Sequence, residues 1–140
     1  MHHRPATPDD CHLLGELNHQ LICDEGHRNR MTSVELAERM RDWLRGEYAA
    51  RIFEDDGKVV AYALYRPQPA EIYLRQLFVV RDRRRQGIGR QAMQIFFSEI
   101  WPKNVRLTVD VLTANALAVG FWRSLGYRDY CLTLEIMPPS

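Results

Sequence analysis

Hydrophobic positions in the first third of the chain repeat with helical spacing. Leucines at positions 14, 17 and 21 fall on one side of a predicted helix that Gly26 is placed to end. A capping box, Thr32-Ser-Val-Glu35, opens a second predicted helix, with Leu36 and Met40 on its apolar side. The pattern therefore predicts two amphipathic helices before residue 46.

The middle and end of the chain carry the periodicity of strands. Two strand-like runs flank Asp55-Asp-Gly57, a hairpin signal. A third run, Glu71 to Val80, ends in four apolar residues typical of a central strand. An amphipathic helix separates it from the alternating segment Val105 to Val111, so we expect these two strands to be parallel. A helix capped by Asn115 and a last strand from Tyr130 to Met137 complete the pattern.

The segment between the third strand and the following helix is basic and ends in two glycines. Arginines in or beside it are Arg81, Arg83, Arg84, Arg85 and Arg90. A helix start leaves backbone N–H groups without intrahelical partners, and the helix dipole favours an anion there. Gly87 and Gly89 allow a phosphate to approach the backbone closely. The sequence therefore predicts a phosphate-binding loop.

Three phosphate-binding motifs compete for this loop. A Walker loop requires lysine and then serine or threonine after its last glycine, whereas arginine and glutamine follow here. A dinucleotide fingerprint fits Gly87-x-Gly89-x-x-Ala92, with Asp110 about 20 residues later, but that glycine normally follows its strand directly. The third motif, Arg84-x-x-Gly87-x-Gly89, also accounts for the basic residues before the glycines.

Composition is that of an ordinary globular protein. The chain has 140 residues, 46% apolar and 26% charged, and its net charge of +1 gives no global attraction to nucleic acid or a membrane. No apolar run approaches the roughly 18 residues of a membrane span, and no signal-peptide apolar segment follows the N-terminus. Three cysteines form no disulfide pattern. We therefore predict one cytoplasmic domain, residues 1–140.

A stripe of possible metal ligands lies on the outer side of the first predicted helix. It consists of His12, Glu16, His19 and Cys23. Local ligand spacing alone rarely makes a metal site, and a polar outer face explains the same residues. We therefore predict no metal.

Two separate patterns resemble those of the Gcn5-related N-acetyltransferase (GNAT) family. Arg84-x-x-Gly87-x-Gly89 follows Leu77-Phe-Val79 at the family's spacing and is similar to its acetyl-CoA pyrophosphate loop. Asn115-x-x-Ala118, followed by Phe121-Trp122 and Leu125-Gly126-Tyr127, is similar to its second cofactor motif. The order of predicted elements resembles the family over essentially the whole chain.

The resemblance implies an α/β (α+β) fold with a mixed, centrally splayed β-sheet and helices on both faces. It implies acetyl-CoA as co-substrate, with the pantetheine arm beside the main chain of Phe78 and Val79, where the third and fifth strands separate. Asn115 and Trp122 would border the arm near the thioester. The residues implied for the pyrophosphate are Arg84, Arg85, Gln86, Gly87, Ile88, Gly89 and Arg90.

Amine acetylation by a thioester sets three chemical requirements. An alkyl ammonium has a pKa of about 10, so a base or a water chain must remove its proton. The oxyanion needs a pre-placed donor, for which a strand N–H of Phe78 or Val79 is suited. The leaving thiolate is helped by an acid, although a thiol of pKa about 8.5 leaves without one.

The predicted catalytic groups depart from the family's usual pattern. Trp122 stands where relatives usually have an acid tyrosine, and an indole N–H is no acid at neutral pH. Tyr127 or Tyr130 is a candidate substitute. Tyr73 stands where some relatives have a base glutamate, so Glu71 and Asp110 are the nearest candidate bases. Solvated or ion-paired carboxylates explain the last two equally.

We therefore expect an acetyl-CoA-dependent N-acetyltransferase whose acceptor is a primary amine of a small molecule or peptide. An acyl-CoA sensor or interaction module without turnover is the alternative, and Trp122 is the residue that favours it. A dinucleotide-dependent oxidoreductase is a weaker alternative. A homodimer is expected from the resemblance.

Overall fold

The computed structural model describes residues 1–139, and the chain divides after Asp110 into two compact units. The strands of the described residues all belong to the first unit. They are β1 (His2–Pro5), β2 (Ala49–Asp55), β3 (Lys58–Pro67), β4 (Glu71–Val79) and β5 (Arg106–Val109). The predicted hairpin and the two later strands are confirmed, with β5 shorter at both ends than the alternation indicated.

Three helices of the first unit and one of the second follow the predicted spacing. They are α1 (Cys11–Glu25), α2 (Ser33–Arg45), α3 (Ile88–Ile95) and α4 (Ala116–Ser124). The capping box before α2 is confirmed, because Thr32 and Glu35 each accept a hydrogen bond from the other's backbone N–H. Between residues 1 and 139, no helix combines the length and hydropathy needed to cross a bilayer.

The sheet is mixed, in the order β1-β2-β3-β4-β5. Neighbouring strands are antiparallel except β4 and β5, which pair in parallel and are joined through α3. This confirms the strand-helix-strand crossover expected from the sequence.

Helices cover both faces of the sheet. On one face, α1 and α2 contribute Leu14 and Met40 to a core that includes Tyr62 and Phe78 from the strands. On the other face, Phe96, which directly follows α3, packs edge-on against Tyr65. Hydrophobic burial on both faces is the main force that holds the sheet in place.

Gly15 sets how closely α1 and α2 approach each other. A Cβ added at this position would lie 2.6 Å from the backbone nitrogen of Ala37. Such a contact is far inside van der Waals distance, so only glycine permits this separation of the two helices. The face of the sheet that the two helices cover is therefore fixed by backbone contact as well as by apolar side chains.

The predicted last strand, Tyr130 to Met137, is wrong. Residues 128–139 have no regular secondary structure, and Leu134 and Ile136 are 84% and 82% exposed. Alternating apolar residues make a segment able to form a strand, but a strand also needs a neighbour that accepts and donates backbone hydrogen bonds. Within the described residues, this segment is not part of the sheet.

Candidate active site

The two parallel strands separate after four residue pairs. β4 and β5 pair from Glu71 with Arg106 as far as Leu74 with Val109. Beyond Leu74, β4 continues to Val79 and, within residues 1–139, pairs there with β3 alone. We call the point after Leu74 and Val109 the fork. It confirms the central splay predicted for the sheet.

The main chain of β4 beyond the fork faces the open side. The N–H of Val80 donates to the carbonyl of Val60 on β3 at 2.9 Å, so the N–H of Val79 points away from β3. The carbonyl of Val79 accepts from Arg84 Nε at 2.9 Å, and the Arg84 guanidinium carbon lies 5.1 Å from the ring centre of Phe78. An N–H on the open side is therefore available to an extended ligand, whereas this carbonyl is already engaged.

The basic segment forms a compact turn into α3. A single 3₁₀ turn spans Arg81–Arg83, and the helix follows a left-handed residue, Gly87, with φ +77°. A Cβ added at Gly87 would meet nothing within 4 Å, so open space lies beside the first turn of α3. Open space together with the unpaired N–H groups of a helix start suits a phosphate. This arrangement fits the pyrophosphate of the implied co-substrate.

Three arginines of this basic segment donate hydrogen bonds to carboxylates of the same chain. Asp24, in the last turn of α1, accepts from Arg81 at 2.8 Å and from Arg84 at 2.7 Å. Asp55, at the end of β2, accepts from Arg83 at 2.6 Å. Hydrogen bonding from Arg81 lowers the pKa of Asp24 below its usual value, with Arg84 contributing in the same direction. We call Arg81, Arg83 and Arg84 the loop arginines.

The two candidate bases lie on either side of the paired segment. Asp110 directly follows the last paired residue of β5, and its Oδ2 accepts from the hydroxyl of Tyr73 at 2.9 Å. Burial and this hydrogen bond raise the pKa of Tyr73 to about 12. Glu71, at the far end of the paired segment, accepts from Arg106 at 3.0 Å. Asp110 is therefore the candidate at the fork, and Glu71 is three residues further back along β4.

A second group of arginines surrounds the fork on the face covered by α1 and α2. It consists of Arg39, Arg66 and Arg75, which we call the fork arginines, with the aromatic residues Trp43, Tyr48 and Tyr73. No motif in the sequence marks the arginines, Trp43 or Tyr48 as site residues. The three arginines lie in α2, β3 and β4, which are distant from one another along the chain, and no local motif joins them.

The residues predicted in the second unit form a small packed group of their own. Asn115 caps α4 by accepting from the backbone N–H of Ala118 at 3.1 Å. Trp122 is 8% exposed, and its ring lies edge-on to those of Phe121 and Tyr127. Burial raises the pKa of Tyr127 to about 12. The hydroxyl of Tyr127 therefore keeps its proton throughout the physiological pH range.

Sequence comparison finds one family model and a set of curated relatives. A family model described as "Acetyltransferase (GNAT) family" matches residues 16–127. The alanine N-acetyltransferase of ribosomal protein bS18 from Escherichia coli is 29% identical over 84 residues, which is 59% of this chain and 57% of that protein.

Solved structures match over nearly the whole chain. A mutant form of the BH1408 protein from Bacillus halodurans superimposes with a TM-score of 0.82 and 25% identity, covering 99% of this chain and 100% of that one. A predicted acetyltransferase from Clostridium acetobutylicum, solved with acetyl-CoA, gives a TM-score of 0.75 and 17% identity, with 97% and 95% of the two chains covered. At that identity the second match bears on the fold alone.

Proposed function

This chain belongs to the acetyltransferase (GNAT) family, and we propose that it transfers the acetyl group of acetyl-CoA to a primary amine of a small molecule or peptide. The observation that carries the proposal is the continuity of one strand. β4 leaves its partner β5 at the fork, exposes its main chain, and runs directly into the basic turn before α3. A thioester bound beside the strand and a pyrophosphate bound at the helix start would thus be held by one continuous segment.

Backbone groups would hold most of the co-substrate. We assign the pantetheine arm to the main chain of Phe78 and Val79, and the pyrophosphate to the loop. The loop residues assigned to it are Arg84, Arg85, Gln86, Gly87, Ile88, Gly89 and Arg90. Asn115 and Trp122 are assigned to the arm on the strength of the family resemblance. When bound, acetyl-CoA supplies an acetyl group on an activated thioester, so we propose that the reaction needs no metal.

Asp110 is the base that we favour. Its carboxylate lies directly beyond the last paired residue of β5, and Tyr73 orients it through a hydrogen bond of 2.9 Å. A carboxylate there, acting directly or through a water, can accept the proton of an ammonium at the fork. Glu71 is second, because its partner Arg106 holds it at the far end of the paired segment.

Two hydrogen-bond donors are assigned to the transfer itself. The N–H of Val79, on the open side of β4, is placed to stabilise negative charge that develops on the thioester carbonyl oxygen. Tyr127 is assigned to the leaving thiolate on the strength of the family resemblance, as a hydrogen-bond donor, because burial raises its pKa to about 12 and makes its hydroxyl a weak acid. Tyr127→Phe, which removes only the hydroxyl, tests the second assignment.

The direct test is release of free thiol from acetyl-CoA in the presence of an amine panel. The panel contains amino acids, short peptides, a polyamine and an aminoglycoside, and isothermal titration of acetyl-CoA, CoA and NAD is run in parallel. We expect acetyl-CoA to bind and at least one amine to release thiol. With that amine, Asp110→Asn should lower kcat about 100-fold or more. Glu71→Gln, the matched control, should change kcat only a few-fold.

An acyl-CoA sensor is the second candidate, and Trp122 is the observation that favours it. The buried indole stands where relatives usually have an acid tyrosine, and it offers no acidic proton. The titrations above separate the two functions. Tight binding of acetyl-CoA with no thiol release for any amine would identify a sensor, and binding of NAD in preference to CoA would contradict both.

We also propose a homodimer in the cytoplasm. Tyr130, Leu132, Leu134 and Ile136 alternate along an exposed segment, which suits strand pairing with a second copy. Three free cysteines fit a reducing compartment. Sedimentation equilibrium tests the dimer, and Leu134→Lys should shift the mass towards that of one chain if the segment is the interface.

A further inference from the structure

We propose that the acceptor amine carries a carboxylate, and that the fork arginines Arg39, Arg66 and Arg75 bind it. This inference rests on the proposed function and names the class of substrate. Some arginines of this protein form salt bridges with its own carboxylates, and others do not. An arginine of the second kind can bind an anion from outside.

The position of Arg75 results from a β-bulge. Leu64 on β3 pairs with Gln76, and the next residue, Tyr65, pairs with Leu74, so Arg75 is an extra residue in β4. A bulge bends its strand and redirects a side chain, and bulges are frequent beside active sites. Because Leu74 is the last residue paired with β5, the bulge places Arg75 at the fork itself.

Aromatic rings hold the three guanidinium groups. The guanidinium carbons of Arg39 and Arg75 lie 4.4 and 4.7 Å from the ring centre of Trp43. The guanidinium carbon of Arg66 lies 5.9 Å from the ring centre of Tyr48 and 5.6 Å from that of Tyr73. Stacking on aromatic faces orients an arginine without neutralising it. The three cations are therefore fixed in place and keep their charge.

No carboxylate of residues 1–139 forms a salt bridge with a fork arginine. Arg39 donates only to the neutral amide oxygen of Asn18, at 3.2 Å, and the Nε atoms of Arg39 and Arg66 are buried without a hydrogen-bond partner. Asp110, the acid at the fork, already accepts from Tyr73. Buried donors without partners normally indicate a missing acceptor.

The charges within the group repel one another. Burial and the like charge of Arg75 both lower the pKa of Arg39 below its ordinary value. An anion from outside would relieve this repulsion and accept the free N–H groups. A carboxylate suits the site because its two oxygens match the two parallel N–H bonds of a guanidinium. The same field would repel polyamines and other polycations.

The size of the acceptor follows from the strand. Arg75 precedes Phe78 by three residues, or roughly 10 Å along a β-strand. An extended chain spans at most about 3.5 Å per residue, so an amine beside Phe78 would require an acceptor of peptide size, whereas an amine at the fork beside Asp110 suits a single amino acid. An α-carboxylate and an acidic side chain are both possible sources of the anion, and the experiment separates them.

The experiment compares amines that differ only in one carboxylate. Alanine is paired with alaninamide, and the amide of alanyl-glutamate with the amide of alanyl-glutamine; spermidine represents polycations. Alaninamide has the lower ammonium pKa, so a preference for alanine would run against intrinsic reactivity. We expect kcat/KM to be about 10-fold or more higher for the carboxylate of at least one pair. Which pair discriminates identifies the source of the carboxylate.

Substitution of Arg75 ties the preference to the site. In Arg75→Gln, KM for the preferred carboxylate should rise about 10- to 100-fold, while KM for its amide and for acetyl-CoA should change less than about 3-fold. Arg75→Lys should lie between, because lysine keeps the charge but not the planar fork. Arg45→Gln, at the exposed end of α2, makes the same charge change outside the site and should leave every constant unchanged.

A binding measurement that does not depend on turnover completes the test. The indole N–H resonance of Trp43, assigned as the one missing from Trp43→Phe, is followed in CoA-free protein during titration with each peptide amide and with alanine and alaninamide. It should shift with the carboxylate of the preferred pair and not with its neutral partner. Equal shifts within both pairs, or spermidine as the best substrate, would overturn the inference while the transferase stands. No thiol release with any amine would instead contradict the proposed function, and the Trp43 titration would still decide the carboxylate site.

Discussion

Two groups of arginines in this protein differ in how the chain treats their charge. Two of the loop arginines are exposed and Arg83 is half-buried, and each of the three forms an ion pair with Asp24 or Asp55. The fork arginines stack on aromatic rings, and none forms an ion pair with a carboxylate of residues 1–139. In the first group, the chain uses arginine charge to fix the shape of a loop. In the second, it holds the charge ready for an anion from outside.

The comparison changes how the loop is expected to bind phosphate. Because the chain's own carboxylates already occupy its guanidinium groups, the backbone N–H groups at the start of α3 should provide most of the affinity. Blocking the backbone should therefore cost more than removing any one arginine.

Gly87→Asp and Gly89→Asp should each abolish CoA binding, which means a loss of affinity of more than about 100-fold. At position 87 the new carboxylate would enter the open space beside the helix start, where it would repel the phosphate. Isothermal titration with CoA measures the loss, and circular dichroism checks the fold. Gly87→Asn has the same shape without the charge and should retain more affinity. Wild-type affinity in both Asp variants would show that the phosphates bind elsewhere.

Arg84→Gln should weaken CoA binding about 10-fold, and Arg81→Gln only about 2- to 3-fold. Arg84 contacts the Asp24 carboxylate, the Val79 carbonyl and the Phe78 ring, so its loss disturbs the strand and the loop together. Arg81 is bound to Asp24 and is more exposed. Titration of both variants in one buffer provides the measurement. Equal losses would mean that charge, and not position, is what each arginine contributes.

Asn18→Asp should convert the fork group into the loop type. Asn18 is fully buried, its Oδ1 accepts from Arg39, and its Nδ2 has no partner. A carboxylate of nearly the same size would pair with Arg39 and reduce the field available to the acceptor. We expect KM for a carboxylate-bearing amine to rise about 3- to 10-fold, with KM for acetyl-CoA unchanged. Steady-state kinetics in which the amine and acetyl-CoA are both varied provides the measurement. A lower KM for that amine would contradict the idea that the fork arginines bind it because no carboxylate of the chain neutralises them.

Asp24→Asn should lower the free energy of unfolding at neutral pH by about 1 kcal/mol or less, because its partners are exposed. The pKa of Asp24 is lowered in the folded protein from an ordinary value of 3.8, so its contribution is complete above that value and is lost as the pH falls through the folded pKa. Denaturant unfolding between pH 7 and pH 2 should therefore show the wild type losing its advantage below about pH 4. An advantage that persists at pH 2 would exclude the ion pair as its origin.

Much of the fold could be predicted because its signals are local. The capping box before α2, the turn at Asp55-Asp-Gly57 and the glycines before α3 each specify a structure within a few residues. The last strand could not be judged in this way, since alternation at Leu132 and Leu134 reports the ability to form a strand but not the presence of a neighbour.

The same distinction between local and long-range signals applies to the candidate site. The phosphate loop and the cap at Asn115 are contiguous motifs and were predicted. The ion pairs of Asp24 join residues 57 and 60 positions apart, and no periodicity links them. The bulge at Arg75 could not be predicted from the sequence either. Arg75 and Gln76 are two consecutive polar residues, and such a pair can be a simple irregularity in the alternation of apolar and polar residues along a strand.

Because of this one extra residue, the side chains that face α1 and α2 change from odd to even positions along β4. Before the bulge, odd positions such as Tyr73 and Arg75 lie on the face of α1 and α2; after it, even positions such as Gln76 and Phe78 lie there. Deleting Arg75 would restore a regular ladder in which every other pair is kept, so Tyr73 would stay opposite Arg66 and on the same face. The strand can therefore lose this one residue without a change of register on either side, and the loss would remove only the arginine that the bulge places at the fork.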